Sequence, residues 1–504
     1  MTSQTARRRT GHDIAPDPSV GPAGGWVARM LTEGGDERIW LDPATGFNRY
    51  GCGVSPDPRA AALGSSTCST ISSPAFEAVQ SLAARLRDRG GAEAAYGLEA
   101  ARLRGELAAL CGLRAGDQVV LAASGTDLHL IAADLARAGD LRPLTCVAPD
   151  PAETGRGVPA ALQGQGFALV TPHGGGGGAT GAPIQGMIQG RVDPVRLREP
   201  DGTPRARDAI DRDAEAACAQ AARAGGRVLL IVVDVSKTGL VAPSPACAAR
   251  LKARFPDQVE VLVDACQFRL SPDSLTAYLA AGFLVAVTGS KFLGGPPFSG
   301  ALLVPADAAA RLGAHPLSHG LADYCGREDW PDAWAARATL PAAPNPGLLF
   351  RWEAALHELR SFRALPPHRV AVFLDDFGEA VGARLDADPA FIPLPSPDLA
   401  RPDPQGWDAR PSIFPFRLRD RAGRPMTAAA TEALFWALRE GPAPIHLGQP
   451  VTVGTEDGKP LTALRLCASA RLAVEALGPG GHQDAVIGGA LGTLSRIAEA
   501  ARLA

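Results

Sequence analysis

Short, largely apolar runs recur through the middle of the chain, at residues 118–122, 144–148, 228–235, 259–263, 283–287 and 301–304. Continuous runs of this length fit strands buried on both faces, not strands with one wet face. The segments between them carry helix-like spacing, so the pattern predicts an α/β fold with a mostly parallel sheet covered on both sides. Upstream, apolar residues recur at helical spacing from 76 to 113, interrupted at Gly90-Gly91. A short amphipathic piece at 26–31 lies within a Gly-, Pro- and charge-rich stretch reaching to about residue 45. After Asn345 the texture changes. A helix is predicted from 348 to about 362, then a strand at 412–418, a helix at 427–439 and a strand at 461–467. These describe a smaller α+β region. Five consecutive glycines at 174–178 read as a surface loop. Residues 186–207 read as an irregular excursion with turns at Asp201-Gly202 and Thr203-Pro204.

A chain of 504 residues is too long for one ordinary core. The pattern divides it into an N-terminal arm with polar loops (1–75), a large α/β domain (76–344) and a small C-terminal α+β domain (345–504). The net charge of −3, with 20% charged residues, gives no basic excess for nucleic acid or an acidic membrane surface. No apolar stretch reaches the roughly 20 residues of a membrane helix. Arg7-Arg8-Arg9 is followed by Gly11-His12-Asp13 and prolines, not by an apolar segment. This reads as a disordered start to a cytoplasmic protein. The nine cysteines are odd in number and lack paired metal-ligand spacing, so neither a full disulfide set nor a metal site is expected.

The chemistry concentrates between residues 234 and 305. Asp264 ends the apolar run 259–263 and is followed by Ala265-Cys266-Gln267. A carboxylate at the end of a buried strand is costly unless paired. Such strand ends are also where open α/β sheets bind ligands. Lys291 follows another apolar run, within Thr288-Gly289-Ser290-Lys291-Phe292-Leu293-Gly294-Gly295-Pro296-Pro297. Small residues there let the backbone approach a ligand closely. Together the two pieces read as a pyridoxal phosphate site, with the aspartate under the pyridine nitrogen and the lysine on the aldehyde. Ser124-Gly125-Thr126 follows the run 118–122 and opens a helix, where orphan amides and hydroxyls can hold a phosphate. An ordinary helix cap is the other reading of the same residues.

These segments resemble the fold-type-I pyridoxal phosphate enzymes, in particular the class V aminotransferase and cysteine desulfurase group. The resemblance spans roughly residues 76–475. It implies a large domain with a seven-stranded type of sheet, a smaller C-terminal domain and a homodimer with shared active sites. It makes Lys291 and Asp264 the catalytic pair, and Gln267 the partner of the ring's phenolic oxygen. Ser124, Gly125, Thr126 and Thr288 become phosphate contacts, with Ser290 a weaker one. Ser236, in Val235-Ser236-Lys237-Thr238-Gly239, is expected at the phenolic oxygen or the substrate. Arg465 is expected to grip a substrate carboxylate, with Arg471 its alternative. Asn345 falls where the family places a loop reaching the neighbour's phosphate. Asn48 and Tyr50, from the polar loop 45–53, are further substrate contacts, and Tyr96 is another candidate at the partner subunit. Lys237 rivals Lys291 as the aldehyde lysine only in principle.

The chain also departs from the family pattern. No His or aromatic residue lies in 149–157, just after the run 144–148, so the ring's upper face must be covered otherwise, with Thr154 one candidate. No cysteine lies between Thr427 and Arg465, which speaks against ordinary desulfurase chemistry. Cys325, Cys52 and Cys68 stand elsewhere. The expected activity is that of an enzyme acting on an amino acid or amine, first as an aminotransferase. A β- or γ-elimination or C–S lyase is the alternative, and a non-catalytic pyridoxal phosphate-binding protein is the other class.

Overall fold

A computed structural model of the chain describes residues 22–65, 70–137, 139–174, 180–397, 399–401 and 403–503. Cys68, the first ten residues and most of the five-glycine run lie outside the described residues. The arm carries helix α1 (Pro22–Met30) and strand β1 (Ala61–Ala62), followed by helices α2 (Ser73–Asp88) and α3 (Ala92–Leu110). Next come β2 (Gln118–Ala122), α4 (Gly125–Arg137), β3 (Leu144–Pro149), α5 (Val158–Gln163), β4 (Arg191–Val195), α6 (Arg207–Arg223) and β5 (Arg227–Asp234). Then follow β6 (Val241–Ala242), α7 (Pro245–Arg254), β7 (Val259–Ala265), α8 (Pro272–Ala280), β8 (Leu284–Thr288), β9 (Gly300–Val304) and α9 (Ala306–Leu312). The remainder holds α10 (Pro346–Arg363), α11 (Pro367–Ala387), β10 (Phe391–Pro393), β11 (Ile413–Leu418) and α12 (Ala428–Ala437). It closes with β12 (Ile445–His446), β13 (Gly448–Glu456), β14 (Lys459–Cys467), α13 (Ala470–Leu477) and α14 (Gln483–Leu503).

The main sheet has the order β2-β9-β8-β7-β5-β3-β4, with β6 beside β5. Strands β8, β7, β5, β3 and β4 run parallel, and β9 is antiparallel to both of its neighbours. β2 therefore points the same way as β8. The ends of β2, β3, β5, β7 and β8 share one edge of the sheet. The apolar runs are continuous because both faces are covered. Val261 and Val263 of β7 join the core on one side with Phe350 and Trp352 of α10. Leu262 joins the core on the other side with Leu128, Leu130 and Ile131 of α4.

Local signals set the helix ends. Ser72 accepts from the Ala75 amide to open α2, and the left-handed Gly90 and Gly91 separate it from α3. The excursion expected at 186–207 instead contains β4, an edge strand parallel to β3. Its charges and Pro194 hide the strand signal, and an edge position is where a strand tolerates proline. A second, antiparallel sheet has the order β10-β11-β14-β13. It packs Phe416 and Leu464 into the same core as Phe373 and Phe377 of α11.

Buried arginines bind the parts together. Arg401 pairs with Asp234, both fully buried, and Tyr278 donates to the same carboxylate. Arg269 lies over the Phe292 ring at 4.9 Å and donates to Ser412 and to the Ala468 carbonyl. Arg351 of α10 donates to the carbonyls of Met30, Glu33, Gly34 and Phe298. It thereby holds the N-terminal arm against the sheet edge where the candidate site lies. Among the described residues no helix is long and apolar enough to cross a membrane.

Candidate active site

Asp264 and Lys291 leave adjacent parallel strands at the same edge. Asp264 lies opposite Ala286 in the β7–β8 register, and Lys291 follows β8 by three residues. The Asp264 side chain is buried, and its Oδ1 accepts from the Cys266 amide at 3.2 Å. Its Oδ2 lies 3.3 Å from Nε2 of His129, a fully buried residue of α4. His129 Nδ1 is 2.7 Å from the Gly125 carbonyl, which can only accept, so that nitrogen carries a proton. Nε2 forms no aligned hydrogen bond, and the pair is an electrostatic contact. Burial alone would raise the Asp264 carboxyl. The contact with His129 first, then Lys291 and Cys266, outweighs it and holds the group well below the usual carboxylate range.

His129 is the residue that sequence reasoning missed. Its signal was its place four residues after Gly125, which puts it over the first turn of α4. That turn is built for close approach. A Cβ at Gly125 would lie 2.9 Å from Cys266 Sγ, so only glycine lets α4 start against the end of β7. Ser124 caps the helix, accepting from the Asp127 amide at 3.3 Å and donating to the Asp127 carboxylate. Its hydroxyl proton is thus directed within the turn and away from a phosphate. The Gly125 and Thr126 amides and the Thr126 hydroxyl remain as the donors of this cup.

The lysine loop carries two further candidate residues. Thr288 donates its hydroxyl to the Cys266 carbonyl at 2.6 Å, whereas Ser290 makes only a 3.5 Å contact to Thr288. Both are buried, so Ser290 is better placed than Thr288 to donate to an anion. The loop's glycines serve packing: a Cβ at Gly289 would lie 2.3 Å from Ala355 Cβ of α10, and one at Gly295 2.9 Å from the same atom.

Gln267 is buried after β7, and its Oε1 finds no hydrogen-bond partner among the described residues. Thr154, in the loop after β3, likewise leaves a buried Oγ1 without a partner among them. That loop passes over the cup, since a Cβ at Gly157 would lie 3.2 Å from Thr126 Cγ2. Two orphaned polar atoms, a helix N-terminus and an ionised aspartate beside a lysine fit a polar aromatic cofactor with a phosphate.

Ser236 behaves differently from expectation. It donates to Glu153 at 2.7 Å, and Thr238 and Arg198 bind the same carboxylate at 2.7 and 2.6 Å. A buried carboxylate needs these donors, so the Ser236 hydroxyl is directed at Glu153, away from a ring or substrate. Asn345 is also engaged within the chain. It accepts from the Leu348 amide to cap α10 and donates to the Gly34 carbonyl, so both ends of its amide are tied within the chain. Tyr96 is buried and donates to Asp329.

Arg465 is buried on β14 and donates to the carbonyls of Lys237 and Gln449. Its alternative, Arg471, binds Glu358 and the carbonyls of Thr70 and Gly294. The arm brings Tyr50 against Ile39, Phe298 and Ala123, the residue before the cup. Asn48 shapes that loop by accepting from the Tyr50 and Cys52 amides. Arg38, over the Phe298 ring at 4.9 Å and paired with Asp36, is an arm residue that sequence reasoning also missed. Cys52 and Cys325 are buried, and burial holds the Cys325 thiol well above its ordinary value. Among the described residues no group of His, Cys, Asp and Glu is arranged to hold a metal ion.

No protein-family model matches the sequence, and no curated protein matches it. Solved structures do share the fold. A "NifS-like protein" superposes with a TM-score of 0.53 at 12% identity, covering 87% of this chain and 100% of its own. TDC from Oryza sativa with PLP gives 0.51 at 14% identity, covering 88% of this chain and 83% of its own. The same protein with PLP and tryptamine gives 0.51 at 14%, covering 86% and 82%. The chain has the mixed α/β fold of the fold-type-I class, with a mostly parallel central sheet.

Proposed function

We propose that the chain is a pyridoxal phosphate-dependent enzyme acting on an amino acid or amine, with Lys291 holding the cofactor's aldehyde, and that its reaction is transamination. One observation carries the reading. Asp264 is kept ionised in a buried site by His129, on the strand next to the one that delivers Lys291. A protonated pyridine nitrogen requires such a carboxylate beneath it. The solved structures with PLP support the same cofactor.

Each residue then has a physical task. The Gly125 and Thr126 amides, with Thr126 and Ser290, would hold the phosphate. Gln267 would meet the phenolic oxygen, and Thr154 would cover the ring. When bound, the pyridinium withdraws electrons from the substrate's α-carbon. Lys291 takes and returns the proton at that carbon. Arg465, fixed by two backbone carbonyls, presents its guanidinium to the substrate carboxylate. Holding the carboxylate in place favours loss of the α-proton over loss of carbon dioxide.

The reaction is tested by mass spectrometry of products from mixed amino acids, with and without pyruvate or 2-oxoglutarate. Transamination yields a keto acid and a new amino acid only when the acceptor is present. Keto acid and ammonia without acceptor would replace it with elimination. An amine and carbon dioxide would replace it with decarboxylation.

A further inference from the structure

The face of α11 turned towards β10 and β11 borders an open groove of about 340 Å³, whose lining includes none of the candidate site residues. Leu374, Leu385, Leu394 and Phe414 make its walls apolar. Phe414 is fixed against Phe377, with ring centroids 5.9 Å apart. Gly378 and Gly382 leave bare stretches of helix between these side chains. Internal packing demands neither glycine. A Cβ at Gly382 would meet nothing within 4 Å, and one at Gly378 would sit in ordinary contact, 3.5 Å from Phe414. Glycine in a helix interior is destabilising relative to alanine. What the two glycines provide is the depth of the groove. Its charge has one sign. The ionisable lining residues are Asp375, Glu379 and Asp386, all on α11. Arg410 pairs with Asp375 at 3.2 Å. Glu379 and Asp386 have no ion pair or hydrogen bond among the described residues. They stand close to two turns apart on one side of the helix, with roughly 10 Å of axis between them.

The opposite side of the groove is lined by Pro393, Pro411 and Pro415. A proline has no amide hydrogen to give, so an added peptide strand would find few donors there. The volume lies in the range of small-molecule sites, roughly 300–1,000 Å³. We infer that the groove binds an aliphatic diamine, laid along α11 with its hydrocarbon middle over Gly382 and its ammonium groups at Glu379 and Asp386. An ammonium is a compact charge that meets a carboxylate from several angles. The hydrocarbon between the two charges covers the apolar wall and takes it out of water. The inference does not depend on the cofactor reading, because the two sites share no residue.

The test is titration calorimetry on the full chain with 1,8-diaminooctane, octylamine and suberate as probes. The parent should bind one diamine per chain, octylamine about threefold more weakly, and suberate not at all, since an exposed charge pair is worth only a small factor. Glu379→Gln combined with Asp386→Asn should weaken the diamine about tenfold and remove its advantage over octylamine. Raising the salt to about 0.5 M should act in the same direction. Gly382→Leu fills the middle of the groove and should abolish binding. It should melt at or above the parent's temperature, because a helix glycine has been replaced. Lys291→Ala should bind the diamine as the parent does. A parent that takes up no diamine, that binds suberate equally, or whose Gly382→Leu variant keeps the binding overturns the inference. Diamine binding that survives Gly382→Leu but is lost in Lys291→Ala would place the amine at the candidate active site instead. Sedimentation is read in parallel. If the parent binds no diamine and Gly382→Leu changes the mass of the particle, the groove is a contact between copies of the chain and the inference fails.

Discussion

Replacing His129 by leucine removes the imidazole facing Asp264 while filling nearly the same space. The His129 and Asp264 side chains are 1% and 9% exposed, so solvent replaces little of what is lost. Removing one member of a buried pair costs about 3–5 kcal/mol, because the other charge is left uncompensated. Loss of the contact to the Gly125 carbonyl adds about 1 kcal/mol. Asp264 keeps the Cys266 amide and the field of Lys291, which favours the lower end for the pair and so about 4 kcal/mol in all at pH 7. The pH dependence fixes the sign. In the parent the folded carboxyl lies below its unfolded value. Its stabilisation is therefore present above about pH 4 and lost only as pH falls through the depressed value. In the variant burial is no longer opposed by His129, the carboxyl rises, and ionising it costs stability as pH climbs above about 4. The gap between parent and variant should widen by roughly 2 kcal/mol from pH 4.5 to 7. Urea unfolding followed by far-UV circular dichroism measures it, and Asp264→Asn in the same chain should recover about half of the loss. A gap below about 1 kcal/mol, or one independent of pH, would refute the role assigned to the pair.

Three further outcomes are expected. Asp127 is buried, and burial together with Asp36 pushes its carboxyl up to about 7 against Ser124 and Arg38. Its folded value exceeds the unfolded one, so stability falls as pH rises from about 4 to 7, and Asp127→Asn should be more stable than the parent at pH 8 by about 2 kcal/mol but not at pH 4.5. A pH-independent difference in thermal melting would contradict this. Gly289→Ala places a methyl 2.3 Å from Ala355 Cβ and should cost about 1–3 kcal/mol, with Ala355→Gly restoring part of it; an unchanged melting temperature would show that the lysine loop is not packed on α10. Arg465→Lys should raise KM by an amount worth about 2–5 kcal/mol and abolish discrimination between an amino acid and its decarboxylated amine, with cofactor content unchanged. Equal discrimination in parent and variant would move the carboxylate site elsewhere.

The large sheet was legible because its strands are buried on both faces, and continuous apolar runs are hard to mistake. The break at Gly90-Gly91 and the start of α4 were legible for the same kind of local reason. β4 was not, since an edge strand with Arg191, Asp193 and Pro194 carries almost no apolar signal. The Asp264 and Lys291 segments could be read from residue type and place. What could not be read was which hydroxyls are already engaged. Ser124, Ser236 and Thr288 look alike in sequence, yet Asp127, Glu153 and the Cys266 carbonyl claim their protons. These acceptors lie 3, 83 and 22 residues away, so only the fold brings the last two together with their donors. His129 and Arg38 escaped notice because a lone histidine in a helix and an arginine in a loop are ordinary until their neighbours are known.

The central claim is that Lys291 holds pyridoxal phosphate over Asp264. The direct measurement is borohydride reduction of the chain loaded with pyridoxal phosphate, followed by peptide mapping by mass spectrometry. The account predicts a visible band that reduction bleaches, a pyridoxyl group on Lys291, and loss of both in Lys291→Ala. A label on Lys237, or a loaded chain that shows no band and takes no label, would contradict it.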